Sequence, residues 1–151
     1  MLERELESES HNPIHVLVVE DSPGDARLIE MAFDRGRIHP HVHIVEDGIE
    51  ALAFVRQEGI YTGCPRPHLI LLDLNLPRKS GLEVLSEIKR DPHLKVVPTI
   101  VLTTSDDELE VLRCYENHAN CYLVKPASFQ QFCHAIACIE SLWLDAATLP
   151  N

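Results

Sequence analysis

Residues 68–77 read HLILLDLNLP, four apolar side chains from Leu69 to Leu72 that run straight into Asp73. A continuous leucine and isoleucine run, without polar alternation, predicts a strand covered on both faces, as in a parallel sheet. Three more segments read the same way: His15–Glu20 (HVLVVE), Thr99–Thr103 (TIVLT) and Cys121–Val124 (CYLV). A fifth, Val42–Glu46 (VHIVE), is more polar and predicts an edge strand. Between the runs lie segments of helical periodicity, and their starts share a pattern. Ser22-Pro-Gly-Asp25, Asp47-Gly-Ile-Glu50, Ser80-Gly-Leu-Glu83, Ser105-Asp-Asp-Glu108 and Ser128-Phe-Gln-Gln131 each place a capping side chain three residues before an acceptor that can reach back to it. Pro23, at the first helical position, reinforces the first of these starts.

Strand and helix therefore alternate five times, which predicts an α/β fold with right-handed crossovers. For five strands the expectation is a flavodoxin-like, doubly wound parallel sheet in the order 2-1-3-4-5, three layers deep. At 151 residues and 45% apolar content, the chain is the length of one domain with its own core. The expected division is an acidic tail over 1–12, a domain over 13–141 and an extension over 142–151. The net charge of −11, with no basic stripe, argues against nucleic acid and anionic membrane as partners. No apolar run is long enough to span a bilayer, and MLERELESES has no apolar signal core. Five scattered cysteines without a C-x-x-C pair suit reduced thiols, and the expected location is the cytoplasm.

In such a sheet, chemistry gathers beyond the C-terminal strand ends. The first strand ends in Glu20-Asp21, the third in Asp73, the fourth in Thr103 and the fifth in Lys125-Pro126. Three clustered acids repel one another unless a cation lies between them, and Mg²⁺ prefers such hard oxygen ligands. With the metal there, Asp73 can serve as a nucleophile toward phosphorus, while Thr103 and Lys125 stabilise charge on the phosphoryl oxygens. His39-Pro-His-Val-His43 places His41 and His43 on one strand face, but without a third ligand nearby in sequence it reads as a solvated edge.

The motifs VVEDSPGD, LILLDLNLP, VLTTSDD and CYLVKP, in this order and spacing, resemble those of response-regulator receiver domains over residues 13–141. The resemblance implies Asp73 as phosphoacceptor, Asp21 as a direct Mg²⁺ ligand, Glu20 as a ligand through water and the Asn75 carbonyl as a third protein oxygen. It also implies phosphoryl contacts from Thr103 and Lys125, a switch role for Tyr122, and a cis bond before Pro126. Ala127 and Thr104 depart from common family choices, and with the tail IESLWLDAATLPN they resemble the single-domain regulators that serve bacterial and cyanobacterial phytochromes. The implied partner is a sensor histidine kinase, with a phytochrome as the specific expectation and a downstream phosphotransfer protein as a further one. Self-phosphorylation from small donors and autodephosphorylation are the only activities expected of the chain itself.

In the last helix, Phe129, Phe132, Ile136, Ile139 and Trp143 repeat at core spacing, whereas Cys138, Leu142, Ala146 and Leu149 form a second apolar flank read as a homodimer contact. Three rival readings have less support. A haloacid-dehalogenase-type phosphatase wants a second acid two residues after its nucleophile, where this chain has Asn75. A pseudo-receiver acting only as a binding module would not need the complete set of acids, threonine and lysine. A flavin module needs a phosphate-cradling loop after the first strand, and EDSPGD would repel phosphate.

Overall fold

The computed structural model describes residues 13–150; the acidic segment over 1–12, with Leu2 and Leu6, lies outside them. Five parallel strands, β1 (His15–Val19), β2 (His41–Val45), β3 (Leu69–Leu72), β4 (Thr99–Thr103) and β5 (Cys121–Val124), form one sheet. Their order, β2-β1-β3-β4-β5, is the expected one. β1 registers Val16 to Val19 against Leu69 to Leu72 of β3, so the two most apolar runs lie side by side at the centre. Every residue of β3 is buried, as its unbroken apolar run requires.

The helices are α1 (Pro23–Asp34), α2 (Gly48–Arg56), α3 (Gly81–Arg90), α4 (Glu108–Glu116) and α5 (Phe129–Ile139). One core unites Leu17, Val19, Ile70, Leu72 and Val101 with α2 and α3; the other unites Val16, Val18, Leu69, Leu71 and Ile100 with α1 and α5. Adjacent strand residues thus face opposite layers, giving the three-layer stack.

Four of the five expected caps are in place: Ser22, Asp47, Ser80 and Ser128 each accept a backbone N–H three residues on. The fifth start moves. α4 is capped by Asp107, whose carboxylate accepts from Leu109 N–H, while Ser105 accepts from Asp107 N–H and stays in the preceding turn. Aspartate caps as well as serine does, so the Ser-Asp-Asp run offered two starts two residues apart. Gly81, at the first position of α3, lies so close to β3 that a Cβ there would overlap the Asp73 carbonyl oxygen. That close approach seats the helix start directly behind Asp73.

After α5 the chain continues without a break into a π-helical turn, Glu140–Ala146. Phe132, Ile136 and Ile139 are buried as their spacing requires, and Trp143 packs against the same core. Leu144 is also buried there and Leu149 packs onto it, whereas Cys138, Leu142 and Ala146 are exposed. The wider π turn carries Glu140 inward. Its carboxylate, 4% exposed, accepts from Arg37 N–H at 3.2 Å and fills the space where Gly36 has no Cβ. Burial, outweighing that hydrogen bond, raises the pKa of Glu140 above its ordinary value. Replacing Glu140 with alanine is expected to cost about 1–3 kcal/mol, because the Arg37 N–H loses its acceptor. A raised carboxylate pKa means stability is lost as pH rises through it, so the alanine penalty should shrink with rising pH. Urea denaturation across the acid range measures both effects.

Candidate functional site

The strand ends meet where the topology requires. Glu20 N–H donates to Val45 O, Asp73 N–H to Val19 O, and Lys125 N–H to Thr103 O, so the sheet ladder itself aligns these residues. Glu20, Asp21 and Asp73 each bring a carboxylate oxygen within 4.8 Å of the other two. Glu20 and Asp73 are buried and Asp21 is exposed, which leaves the cluster one open side.

Lys125 crosses from β5 to close the other side. Its ammonium stands 2.6 Å from Glu20 Oε2, 2.8 Å from Asp25 Oδ2 and 2.9 Å from Asp73 Oδ2. With its side chain 5% exposed, burial alone would lower its pKa. The hydrogen bonds to Asp25, Glu20 and Asp73 outweigh burial and hold it above the ordinary lysine value, so it is a permanent cation. For Glu20 the balance falls the other way. Burial, aided by the Asp73 charge, pushes its pKa up to about 7 despite the Lys125 ammonium. One ammonium therefore does not fully compensate these acids, and a divalent cation bound by oxygen would lower the remaining cost.

The other carboxylate oxygens are also engaged. Asp73 Oδ1 accepts from Asn75 N–H at 3.2 Å, and Glu20 Oε1 accepts from Ser22 N–H at 3.1 Å. The second bond changes the expected capping box: the Ser22 N–H is taken by Glu20, and Asp25 is freed to reach Lys125. Asp25, expected only as a helix-start acceptor, is thus a further site residue. A third acid in one EDSPGD segment was the available signal.

Thr103 lies at the end of β4, wholly buried, and its hydroxyl oxygen has no hydrogen-bond partner among the described residues. A buried unpaired hydroxyl costs free energy unless some group arrives to accept or donate. Tyr122 is half-buried, and its hydroxyl donates to the Ser105 carbonyl at 2.7 Å, tying β5 to the β4–α4 turn. Asn75 is exposed beside Asp73. Pro126 corrects an expectation. The Lys125–Pro126 bond is trans, with no cis peptide among the described residues. Trans is the lower-energy state even before proline, and Lys125 reaches all three acids from it. The Cys138, Leu142, Ala146 and Leu149 flank lies outside this cluster; its exposed members and Leu149 diverge, as described above.

Known proteins resemble this chain over most of its length. The response regulator receiver domain family matches residues 16–137. Response regulator Rcp1 of Synechocystis sp. is 47% identical over 145 residues, covering 96% of this chain and 99% of that protein. A probable methanogenesis regulatory protein, FilR2 of Methanothrix harundinacea, is 41% identical over 90% of this chain and 87% of its own length. Among solved structures, the phosphorylated cyanobacterial phytochrome response regulator RcpA superposes with a TM-score of 0.89 at 46% identity, over 93% of this chain and all of that one. With the sheet order, the acidic cluster and the strand-end lysine all in place, the chain belongs to the response regulator receiver family.

Proposed function

We propose that the chain is a response regulator that takes a phosphoryl group onto Asp73 from a sensor histidine kinase, in the presence of Mg²⁺. The observation that carries this reading is the buried Asp73 carboxylate held against Lys125, at the same sheet edge as a buried Thr103 hydroxyl without a partner. Glu20, Asp21, Asp73 and the Asn75 carbonyl would hold the metal. When bound, Mg²⁺ supplies charge neutralisation between the acids and a contact to a phosphoryl oxygen.

The chain's own residues do the rest. A carboxylate oxygen of Asp73 attacks phosphorus and forms the new P–O bond. The bond from phosphorus to the donor's imidazole nitrogen breaks, and that nitrogen keeps the electron pair. Lys125 and Thr103 hold the phosphoryl oxygens as charge redistributes, which suits a transition state governed by positioning and electrostatics. The product carries about −1.5 to −2 of charge, by analogy with phosphorylated hydroxyl side chains. Drawing Thr103 and Lys125 toward it would shift Tyr122 and the Ser105 turn that its hydroxyl holds. Asn75 and Ser105 would tune the lifetime of the phosphoryl group.

A phytochrome as the kinase is supported by the phytochrome response regulator RcpA, whose chain this one matches along its full length. Output would pass by protein contact, with a downstream phosphotransfer protein as one recipient. Leu109, Leu112 and Tyr115 on α4 and Val124 on β5 are exposed apolar residues beside the proposed switch. The domain would run over 13–141, and 142–151 would form an extension that works in homodimer contact. Cys138, Leu142 and Ala146 supply its exposed face, and five free cysteines suit a cytoplasmic location. Because Leu144 is a core residue, truncation after residue 141 would damage the fold and test nothing about assembly. Leu142→Glu, at a site 57% exposed, is the cleaner change. Light scattering should show the variant shifted to monomer; an unchanged dimer would remove Leu142 from the contact.

The phosphorylation reading is tested by incubating the chain with Mg²⁺ and acetyl phosphate. Intact mass should rise by about 80 Da, one phosphoryl group, and the gain should vanish with EDTA. No Mg²⁺-dependent adduct would leave the chain a binding module, the pseudo-receiver alternative.

A further inference from the structure

The histidines that looked like a solvated edge in sequence have company in the fold. His41 and His43 of β2, His15 of β1 and His68 just before β3 all lie on the sheet face that carries Leu17, Val45 and Ile70. Three neighbouring strands thus contribute four imidazoles to the N-terminal end of the sheet. That is the end opposite the acidic cluster, about 16 Å away by the rise of a five-residue strand.

We propose that His15, His43 and His41 form a binding site for a divalent late transition ion of the Ni²⁺ or Cu²⁺ type. His15 Nδ1 and His43 Nε2 share a hydrogen bond at 3.0 Å, and an ion entering between them would displace the proton that bridges them. Two nitrogens bound to one ion at about 2.0–2.1 Å and a near-right angle stand about 3 Å apart, the edge of a tetragonal site. The ring centres of His15 and His41, and of His15 and His43, are both 5.2 Å apart. Imidazoles that share an ion at those bond lengths and a right angle place their centres about 4.5 Å apart, so these rings would close by less than about 1 Å on binding. His41 is exposed; its nitrogens lie outside ligand reach of the pair as they stand, so its ring would have to turn inward to supply the third nitrogen.

The surroundings hold the two inner rings in place. His43 packs on Phe54 at 5.2 Å, and Phe54 packs in turn on Tyr61. His68 is a support and not a ligand: its Nδ1 accepts from His15 N–H at 3.0 Å, which occupies that nitrogen and anchors the His15 backbone. Burial, then mutual repulsion among the rings, keeps His15 and His43 below the ordinary imidazole pKa, consistent with neutral rings offering lone pairs. Oxygen-preferring Mg²⁺ does not suit the imidazoles, and in excess it would occupy the acidic end and leave the late transition ion to the histidines.

The test is calorimetric titration of the full chain with Ni²⁺ in excess Mg²⁺, with imidazole nitrogen NMR shifts as a second readout. One ion should bind, perturbing His15, His41 and His43 and raising the thermal midpoint. His41→Gln and His43→Gln should each weaken it by about tenfold or more, with far-UV spectra confirming the fold. Since His41 is exposed, its variant decides the matter even if the His43 variant folds poorly. His134→Gln, which removes the exposed ring beside Cys138 on α5, should change nothing. Absence of binding, binding indifferent to both β2 variants, or loss in His134→Gln would each overturn the proposal.

Discussion

Lys125→Met is expected to lower folding stability by about 3–5 kcal/mol near neutral pH in EDTA, the usual cost of removing one partner from a buried charge pair. The side chain is 5% exposed and touches Glu20, Asp25 and Asp73 at once, so its loss leaves three carboxylates with no protein cation between them. One relaxation sets the pH dependence. Glu20 already sits at about 7, through burial first and the Asp73 charge after it, and the ammonium is the main group restraining that rise. A carboxylate raised in the folded state contributes stability at low pH that disappears as pH climbs through its folded value. The methionine penalty should therefore be larger near about pH 8, where Glu20 is ionised, than near about pH 5.5, where it takes up a proton. Mg²⁺ should return part of the loss, since a cation bound only by the folded state stabilises it. Urea denaturation at both pH values, with and without Mg²⁺, checks the sign and the order of these changes. A penalty independent of both pH and Mg²⁺ would mean that Lys125 acts through packing alone.

Thr103→Val is expected to separate function from stability in the opposite sense. The hydroxyl is buried and unpartnered, so replacing it with a methyl of similar shape should leave stability unchanged or raise it by about 1 kcal/mol. If the hydroxyl waits for a phosphoryl oxygen, the same change should slow phosphorylation from acetyl phosphate by about 10²–10³, the usual loss for one donor aimed at developing charge. Initial rates by intact mass, beside a denaturation curve, measure both. An unchanged rate would remove Thr103 from the phosphoryl contacts; a loss of stability would show that the hydroxyl has a structural partner.

The central sheet was legible because apolar runs such as Leu69–Leu72 and Val16–Val19 have no polar interruption that an alternative register could exploit. Helix starts were legible where one good cap stands alone, as at Ser80, and shifted where Ser105, Asp106 and Asp107 compete. The acids and the lysine could be assigned to strand ends by position. That Asp25 would join them could not, since a helix N-terminal acid satisfies a local role equally well until Glu20 is seen taking the Ser22 N–H. The state of the Lys125–Pro126 bond also lay beyond sequence, being a choice between two close-lying isomers. Leu144 turned inward because the chain leaves α5 through a π turn, which rotates the later side chains off the expected helical stripe. The histidine cluster was invisible for a simpler reason: His15 and His43 are 28 residues apart, and His15 and His68 are 53 apart.

Four carboxylates, those of Glu20, Asp21, Asp25 and Asp73, crowd one end of the sheet, and only Asp73 is expected to carry the phosphoryl group. Borohydride reduces an acyl phosphate to the alcohol, so a phosphorylated aspartate is recovered as homoserine. The decisive measurement is reduction of the chain after acetyl phosphate and Mg²⁺, followed by peptide mass mapping. Homoserine is expected at residue 73, with Glu20, Asp21 and Asp25 unmodified. Reduction product at any of those three, or phosphate retained on a histidine, would contradict this assignment.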